Sequence, residues 1–303
     1  MVDKFSIEKQ RGKKMKEKEI KNIFGKLGIS VKKVSSASNS FNSNVYIVNS
    51  DDEKKYVLKI SNSEKKRDVE SRYMKYLSQY LPTAKILDNG CVDNKNYIVM
   101  TFFEGDNKFD EDASSLTASQ LRNIGLLLAK LHNTPLIDKN NDSWINYLND
   151  GLEKTQEVLS DVFGKDNEKI YRYLKQYIDN ELKDNYKNCI LHMDFRIGNL
   201  MFKKDEIGLI DMESMKNGDY VFDFVKMHRV LTEDKFNILL LGYKEIRKID
   251  DNFFKKLDFY SLFDSYTSLW WSASKNKTDS DFYRTNYAIV MKYLGVLNEK
   301  GNI

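Results

Sequence analysis

The spacing of apolar residues changes once along the chain, from a strand-type pattern to a helix-type pattern. In the first third, short apolar runs alternate with the polar segments Asn49–Asp52 and Asn89-Gly90, which are typical of hairpin turns. One amphipathic segment, residues 64–80, interrupts these runs and predicts a helix. The pattern predicts four strands, over residues 45–48, 56–60, 85–87 and 97–100.

After Gly105 apolar residues recur every three or four positions, which indicates helices. Thr117 with Gln120 predicts a capping box that opens one of them. Helices are predicted over residues 16–27, 121–132, 166–185, 235–246, 253–274 and 282–297. The chain is therefore predicted to form a bilobal α+β fold. Residues 1–105 form a small antiparallel-sheet lobe, and residues 106–303 form a larger, mainly helical lobe.

Composition narrows the class of protein. The 303 residues are 41% hydrophobic and 13% aromatic, which is enough to bury a core in each of two lobes. The chain has no apolar run of about eighteen residues, and its first twenty residues are polar and Lys-rich. We therefore expect neither a membrane span nor a secretory signal, and we expect a cytoplasmic protein. Cys91 and Cys189 are accordingly expected to be reduced thiols.

The strongest chemical signal is an ordered set of polar residues between predicted buried strands. Asp194 and Asn199 are followed by Asp211, and His192 precedes them. A carboxylate can accept a hydroxyl proton, and an amide with a second carboxylate offers the hard oxygen ligands that Mg²⁺ prefers. These are the parts that a magnesium-dependent phosphoryl transfer needs. His192 either braces this loop or is a core histidine with satisfied hydrogen bonds.

The motif His192-x-Asp194-x-x-x-x-Asn199, followed by Ile-Asp211-x-Glu213, resembles the signature of the aminoglycoside phosphotransferase and choline kinase family. Members of that family share the protein-kinase-like fold. The resemblance implies that Asp194 is the catalytic base, that Asn199 and Asp211 bind Mg²⁺, and that ATP or GTP is the phosphoryl donor. Glu213 matches the last position of the second motif.

The resemblance extends to the N-terminal lobe. Lys59 matches the family's phosphate-binding lysine, and Glu70 is the best match for the helical glutamate that orients this lysine. Glu64 is the other candidate for this glutamate, but it lies at the start of the predicted helix. Thr101 and Phe103 lie in a segment that resembles the hinge, whose backbone groups contact the nucleotide base.

Three features depart from the family pattern. The loop that covers the phosphates, residues 35–44, contains no glycine; its backbone amides and side chains such as Ser43 are expected to bind phosphate instead. Met193 replaces the usual small residue. Arg196 occupies a position that differs in many antibiotic kinases; it either contacts a phosphate or an acidic substrate, or pairs with a surface acid.

The resemblance implies that the acceptor site lies in the helices after residue 230, which carry Asp264, Trp270 and Trp271. Asp219 and Asp223 match the Gly-Asp-x-x-x-Asp pattern that usually follows in this family, where the second Asp tends to be structural, and Asp219 belongs with Glu213 and Arg196 among the other candidate substrate contacts. Aromatic and acidic side chains together suit a cationic acceptor, either a quaternary ammonium held by cation–π contacts or an aminosugar held by carboxylates. The alternative is that the paired tryptophans only fill a helical core.

Charge is distributed unevenly, and it bears on the partners. Residues 1–105 carry 21 Lys and Arg against 13 Asp and Glu, and the remainder carries 28 against 32. A basic N-terminal part suits binding of a nucleotide, and an acidic remainder suits binding of a cationic substrate. The alternative is that the basic residues 13–26 only form the solvated face of a helix. Because those basic residues are not interleaved with aromatic platforms, no nucleic-acid partner is expected. A monomer or weak dimer is expected.

The leading hypothesis for function is a small-molecule kinase that phosphorylates an aminoglycoside-type antibiotic. One alternative is a metabolic kinase for choline or a small sugar. The other is a catalytically silent kinase-like binding protein, against which the complete set of Lys59, Asp194, Asn199 and Asp211 argues.

Overall fold

A computed structural model of the chain describes residues 15–37, 44–61, 63–137, 143–183, 185–204 and 206–299. Its helices are α1 Glu17–Lys26, α2 Glu64–Leu77, α3 Ala118–Asn133, α4 Ser143–Phe163, α5 Lys165–Tyr177, α6 Val225–Val230, α7 Glu233–Lys244, α8 Phe253–Ser274 and α9 Asp281–Glu299. Its strands are β1 Val31–Ser36, β2 Asn44–Ser50, β3 Lys55–Ser61, β4 Ile86–Val92, β5 Lys95–Thr101, β6 Asp106–Asn107, β7 Asn188–Leu191, β8 Leu200–Lys203, β9 Glu206–Leu209 and β10 Lys216–Asp219.

The described chain divides into two compact units. The sheet unit comprises the residues up to Leu131 together with Arg196–Met215. The helical unit comprises His132–Phe195 and the residues from Lys216 onward. The predicted lobe boundary near residue 105 stays a prediction.

The largest sheet has five antiparallel strands in the order β1-β2-β3-β5-β4. Helix α1 places its apolar residues Ile20, Ile23 and Phe24 in one core cluster with residues of this sheet. All four predicted strands are present. In β3, Lys59 lies between Val45 of β2 and Ile98 of β5, so its backbone is fixed in the middle of the sheet.

The predicted turn at Asn89-Gly90 is wrong, because these residues lie inside β4, opposite Ile98 and Tyr97. The turn is at Asp93 and Asn94, whose φ angles of 47° and 57° are left-handed. Asp and Asn tolerate this region better than most residues, so no glycine is needed there. Gly90 is instead required by packing, since an added Cβ would lie 3.0 Å from the Tyr97 hydroxyl.

Two small sheets carry the motif region. Strands β8 and β9 form a hairpin that β6 extends, and β7 pairs with β10. The apolar runs at 200–202 and 207–210 were predicted as strands, whereas β10, with its polar sequence Lys-Asn-Gly-Asp, was not. Gly218 in β10 is needed because an added Cβ would lie 2.4 Å from the Trp144 ring.

Most of the predicted helices are present with small shifts of their ends. The Thr117–Gln120 capping box is confirmed by reciprocal hydrogen bonds of 3.1 and 3.2 Å. Helix α5 ends at Tyr177 and continues as a π-helical turn, Ile178–Leu182, within the predicted range 166–185. Helix α4 was not predicted, although Trp144, Leu148, Leu152 and Leu159 are all buried along one face.

Among the described residues, no helix combines the length and the apolar character that crossing a membrane requires. Cys91 and Cys189 are both free thiols, the first exposed and the second buried.

Candidate functional site

In the sheet unit, the centre of the candidate site is the side chain of Lys59. Its Nζ lies 2.9 Å from Oε1 and 2.8 Å from Oε2 of Glu70, so this glutamate contacts it with both oxygens. Both side chains are almost fully buried, at 8% and 2% exposure. Glu64 points elsewhere and pairs with Arg67 at 3.0 Å. An ion pair this deep is retained only where its geometry is good, because each buried charge costs several kcal/mol.

Two further carboxylates face the same lysine. Lys59 Nζ lies 2.6 Å from Oδ1 of Asp211 and 3.5 Å from Oε2 of Glu213. Burial alone would lower the pKa of Lys59, but Glu70, Asp211 and Glu213 outweigh it and raise that pKa. Burial raises the pKa of Glu70, and Lys59 opposes this shift.

A second lysine joins this cluster from helix α2. Lys66 Nζ lies 2.5 Å from Oε1 of Glu213, and Lys66 is one helical turn before Glu70. Three carboxylates therefore face two ammonium groups, which leaves an excess of negative charge. Such an excess attracts a cation.

The hairpin β8–β9 brings Asn199 and Asp211 to the same end. Leu200 pairs with Leu209, so Asn199 directly precedes β8 and Asp211 is the second residue after β9. The backbone N–H of Ile210 donates to the carbonyl of Asn199 at 3.1 Å, which ties the two segments together. Asp211 has a φ of 64° and its side chain is 42% exposed, so it turns out of the strand direction.

This donor set fits a magnesium ion. One carboxylate oxygen each from Glu70, Asp211 and Glu213 lies within 4.8 Å of the others, and the backbone of Asn199 is hydrogen-bonded to Ile210, the residue before Asp211. Carboxylate and amide oxygens are hard ligands of the kind that Mg²⁺ takes. Glu70 contacts Lys59 with both oxygens and is almost fully buried, whereas Asp211 contacts Lys59 through Oδ1 and is 42% exposed, which makes Asp211 a better candidate ligand than Glu70.

The two residues predicted to contact the nucleotide base lie at the end of β5 and just beyond it. The hydroxyl of Thr101 accepts a hydrogen bond from the backbone N–H of Lys85 at 2.9 Å. The Phe103 ring packs over Gly208 of β9 so closely that an added Cβ would lie 2.5 Å from the ring. Ser43, predicted to bind phosphate, lies outside the described residues.

Arg196 belongs to the sheet unit, where it pairs with Asp110. Its Nη1 lies 3.4 Å from Oδ2 of that aspartate. Both side chains are about one-third exposed, at 36% and 33%. Of the two expectations for Arg196, contact with a phosphate or acidic substrate and pairing with a surface acid, this geometry matches the pairing.

In the helical unit, Asp194 lies in a loop whose backbone is held by Asp223. The two oxygens of Asp223 accept hydrogen bonds from the backbone N–H groups of His192 and Met193, at 2.7 and 2.8 Å. Met193 has a φ of 69°, a left-handed conformation that favours small residues and that the two hydrogen bonds help to maintain. His132 Nε2 lies 3.2 Å from Asp223 Oδ2 and fixes this carboxylate from behind.

Lys226, in helix α6, forms a short hydrogen-bonded ion pair with Oδ1 of Asp194. One turn further along α6, Arg229 Nη1 pairs with Oδ2 of Asp264 at 2.8 Å. Asp194 and Lys226 are both partly exposed, at 31% each. Helix α6 thus supplies a cation to each of two acids that the sequence had assigned to catalysis and to the acceptor.

Other predicted acceptor contacts are also placed by the structure. Asp219 is fully buried, and its Oδ2 lies 3.1 Å from Lys256 Nζ and accepts from the Tyr260 hydroxyl at 3.2 Å. We therefore leave Asp219 out of the acceptor site, because no solvent-borne molecule reaches it. Trp270 and Trp271 are half-buried, and the Trp271 ring contacts Phe282 edge-on.

Three residues that contact the site residues were not predicted from the sequence: Lys66, Lys226 and His132. Lys66 and Lys226 had a weak signal, since Lys66 precedes Glu70 by four residues and Lys226 follows Asp223 by three. Both spacings place the lysine on the same helical face as the acid, or close to it. His132 lies at the end of the predicted helix over residues 121–132, where a histidine gives no signal for its partner.

Comparison with known proteins identifies the family of the chain. A model of the phosphotransferase enzyme family matches residues 34–251, well over half of the chain. The chain belongs to this family, which is the aminoglycoside phosphotransferase family named by the resemblance. No curated protein sequence matches the chain.

Solved structures similar to the chain include aminoglycoside and macrolide phosphotransferases. The GDP complex of wild-type aminoglycoside 2'-phosphotransferase-IIIa has 14% identity and a TM-score of 0.69, covering 92% of this chain and 97% of that chain. The streptomycin–ATP ternary complex of APH(2")-IIa has 16% identity and a TM-score of 0.67, with 92% and 97% covered. Macrolide 2'-phosphotransferase type I has 14% identity and a TM-score of 0.67, with 90% and 96% covered.

At these identities the similarity concerns the fold. The predicted fold class is confirmed: a small antiparallel sheet in the N-terminal part and a mostly helical remainder, as in these protein-kinase-like structures. Family membership makes the protein a phosphotransferase, and the acceptor is a separate question.

Proposed function

We propose that this protein transfers the γ-phosphate of ATP or GTP to a hydroxyl group of a small molecule, with Mg²⁺ as the required metal. The observation that carries the proposal is the cluster around Lys59, in which Glu70, Asp211 and Glu213 all lie within 3.5 Å of one ammonium. A buried lysine fixed by a helical glutamate, beside metal-binding oxygens, is the arrangement that binds and orients a nucleotide triphosphate.

Each residue has a distinct task in this proposal. Lys59 binds the donor phosphates as a point charge. Asn199 and Asp211 hold Mg²⁺, which when bound neutralises negative charge on the phosphates. Asp194 accepts the proton of the acceptor hydroxyl while the new oxygen–phosphorus bond forms and the bond to the nucleoside diphosphate breaks.

The first candidate for the acceptor is an aminoglycoside-type antibiotic. Family membership supports it, as does the likeness to aminoglycoside phosphotransferases, one of which has been solved with streptomycin and ATP. The acidic excess beyond residue 105 also suits a molecule that carries several amino groups.

A macrolide is the second candidate, and one observation favours it. The acids expected to meet a cationic acceptor are already paired: Glu213 with Lys66, and Asp264 with Arg229. Breaking these pairs costs free energy, so an acceptor with fewer charges and more apolar surface binds at less cost. The half-buried Trp270 and Trp271 offer apolar area for such a molecule.

The test is a coupled assay of ATP and GTP consumption against a panel of aminoglycosides, macrolides, choline and small sugars. We expect one antibiotic class to stimulate turnover, and we expect Asp194→Asn to abolish the stimulated rate. Stimulation by choline or a sugar alone would replace the antibiotic acceptor with a metabolite. Magnesium-dependent nucleotide binding without transfer to any compound would instead favour a catalytically silent binding protein.

A further inference from the structure

We propose that Lys226 is a positioning residue for the catalytic base: it holds the Asp194 side chain in one orientation and keeps it ionised. This inference rests on the proposed function, because it concerns the residue to which base catalysis is assigned. Its supporting observations all lie within the helical unit.

The first observation is that one short segment holds both the backbone and the side chain of the base. Asp223 is the second-last residue of the 3₁₀ turn Tyr220–Phe224, and α6 begins directly after this turn, at Val225. Asp223 accepts the backbone N–H groups of His192 and Met193, and Lys226 binds the carboxylate of the next residue, Asp194. The two residues are three positions apart, so a single helical turn fixes the loop and its functional group together.

The second observation is that the rear of this segment is itself anchored. His132 Nε2 contacts Asp223 Oδ2, and His132 Nδ1 lies 2.9 Å from the Tyr243 hydroxyl. All three side chains are buried. A buried, hydrogen-bonded network of this kind restricts side-chain movement. The turn before α6 is therefore a rigid support, and Lys226 extends directly from it.

The third observation concerns charge. Burial would lower the pKa of Lys226, but Asp194 and Asp264 outweigh burial and raise it, while Arg229 opposes them. Lys226 is consequently an ammonium across the physiological range. The charged groups that act on it are Asp194 from the loop after β7, Asp264 from α8 and Arg229 from α6 itself.

Arg229, which lies three residues after Lys226 in α6, has a different structural role. It donates to the carbonyl of Ser261 at 3.0 Å and to the Ser265 hydroxyl at 2.8 Å, in addition to its pair with Asp264. These bonds fasten α6 to α8. Arg229 therefore secures the helix, while the ammonium of Lys226 contacts the base.

The chemical consequence follows from general acid–base catalysis. A base must be unprotonated before it can accept a proton, and a cation in contact with a carboxylate favours the ionised form. The same contact also fixes the rotamer, so that the carboxylate does not have to be ordered when the acceptor binds. Lys226 thus extends activity towards lower pH and raises kcat without touching the nucleotide.

The decisive measurement is the titration of the Asp194 carboxyl itself, followed by NMR on protein labelled at the aspartate carboxyl carbons. Asp194→Asn identifies the signal by its loss. In Lys226→Met we expect the titration midpoint to rise by about one pH unit, since loss of a contacting opposite charge shifts a carboxyl by about 1–3 units. Lys226→Arg is expected to keep the midpoint close to that of the unchanged protein.

Kinetics with the best acceptor of the panel give a second readout. Lys226→Met is expected to lower kcat about tenfold, a part of the roughly 10²–10⁴-fold that general base catalysis contributes, to leave the KM for nucleotide unchanged, and to move the acidic limb of the pH–rate profile to higher pH. Lys226→Arg is expected to recover most of the rate. Lys244→Met, at an exposed lysine of α7, serves as the matched control.

The outcomes separate this inference from the proposed function. An unchanged titration midpoint in Lys226→Met overturns the inference, whatever the enzyme turns over. A lower kcat with an unmoved acidic limb and no recovery in Lys226→Arg also overturns it, because only a structural role remains. Equal turnover by the unchanged protein and Asp194→Asn would instead overturn the proposed function, and the NMR result would still stand.

Discussion

Lys59 Nζ lies 2.6 Å from Oδ1 of Asp211, although 152 residues of sequence separate them. Lys59 is fixed in the middle of a five-stranded sheet, and Asp211 follows a separate hairpin. Their contact places the proposed phosphate-binding group beside a proposed magnesium ligand within one unit. It also makes the charge balance around Lys59 sensitive to single substitutions.

Removal of Lys59 is expected to lower stability as well as activity. Lys59→Met leaves the buried Glu70 without its cation, and breaking such a pair costs about 3–5 kcal/mol. The pKa of Glu70 is already raised by burial, so protonation relieves this cost at low pH. Urea unfolding of the variant should therefore show a larger loss of stability at pH 8 than at pH 5.

The double variant Lys59→Met/Glu70→Leu separates the two effects. Replacing both partners of a buried pair by apolar residues is often neutral for stability. We expect the double variant to regain most of the lost unfolding free energy and to remain inactive. Equal instability of the single and double variants would contradict the burial argument.

Asp211→Asn is expected to abolish magnesium-dependent turnover without lowering stability. Asparagine tolerates the left-handed backbone at this position, and Lys59 keeps its pair with Glu70. Loss of one of three crowded carboxylates also reduces repulsion. Turnover at a range of Mg²⁺ concentrations and thermal unfolding are the measurements, with chelation of Mg²⁺ from the unchanged protein as the comparison. A large fall in thermal stability would show that Asp211 is chiefly structural.

Gly208→Ala should disturb the segment that we assign to the nucleotide base. Its added Cβ would lie 2.5 Å from the Phe103 ring, and overpacking of this kind typically costs about 1–3 kcal/mol. Because the ring must move, we also expect the KM for nucleotide to rise. Gly25→Ala is the matched control: no atom lies within 4 Å of its added Cβ, and it is in helix α1. That change should stabilise the protein by up to about 1 kcal/mol.

The buried His132 should make stability depend on pH. Burial lowers the pKa of His132, although Asp223 opposes the shift. The unfolded state then binds more protons near pH 6, so the free energy of unfolding falls as the pH drops through about 6.5 and below. In His132→Gln this part of the pH dependence should disappear. Urea unfolding of both proteins between pH 5 and pH 8 measures the difference, and parallel curves would refute the assignment.

Local features were predictable from the sequence because their causes are local. The strand pairs, the capping box at Thr117 and the long helix α8 follow from periodicity and from side chains a few residues apart. The turn at Asp93-Asn94 was not predicted because Asn89-Gly90 gave the stronger turn signal. Gly90 lies in β4 and packs closely against Tyr97 instead.

The partners of the site residues were harder to predict, because they depend on tertiary structure. The Lys66–Glu213 contact spans 147 residues, and the contact between Lys226 and Asp194 spans 32. No spacing rule connects positions so far apart. The aspartate that holds the loop, Asp223, was recognisable only because its motif resembled a known family. Burial of Asp219 likewise depends on its tertiary contacts with Lys256 and Tyr260, which lie 37 and 41 residues away in the sequence.

The sheet unit is assembled from two stretches of chain, and this affects the order in which it can form during synthesis. Strand β3 and helix α2 leave the ribosome long before residues 196–215, which carry Asn199 and Asp211. Until those residues emerge, Lys59 has only Glu70 as a partner from the cluster. A fragment ending at Leu131 would contain that pair without either proposed magnesium ligand. The nucleotide site is therefore completed late, after most of the chain has been made, and no N-terminal fragment of that length can contain it.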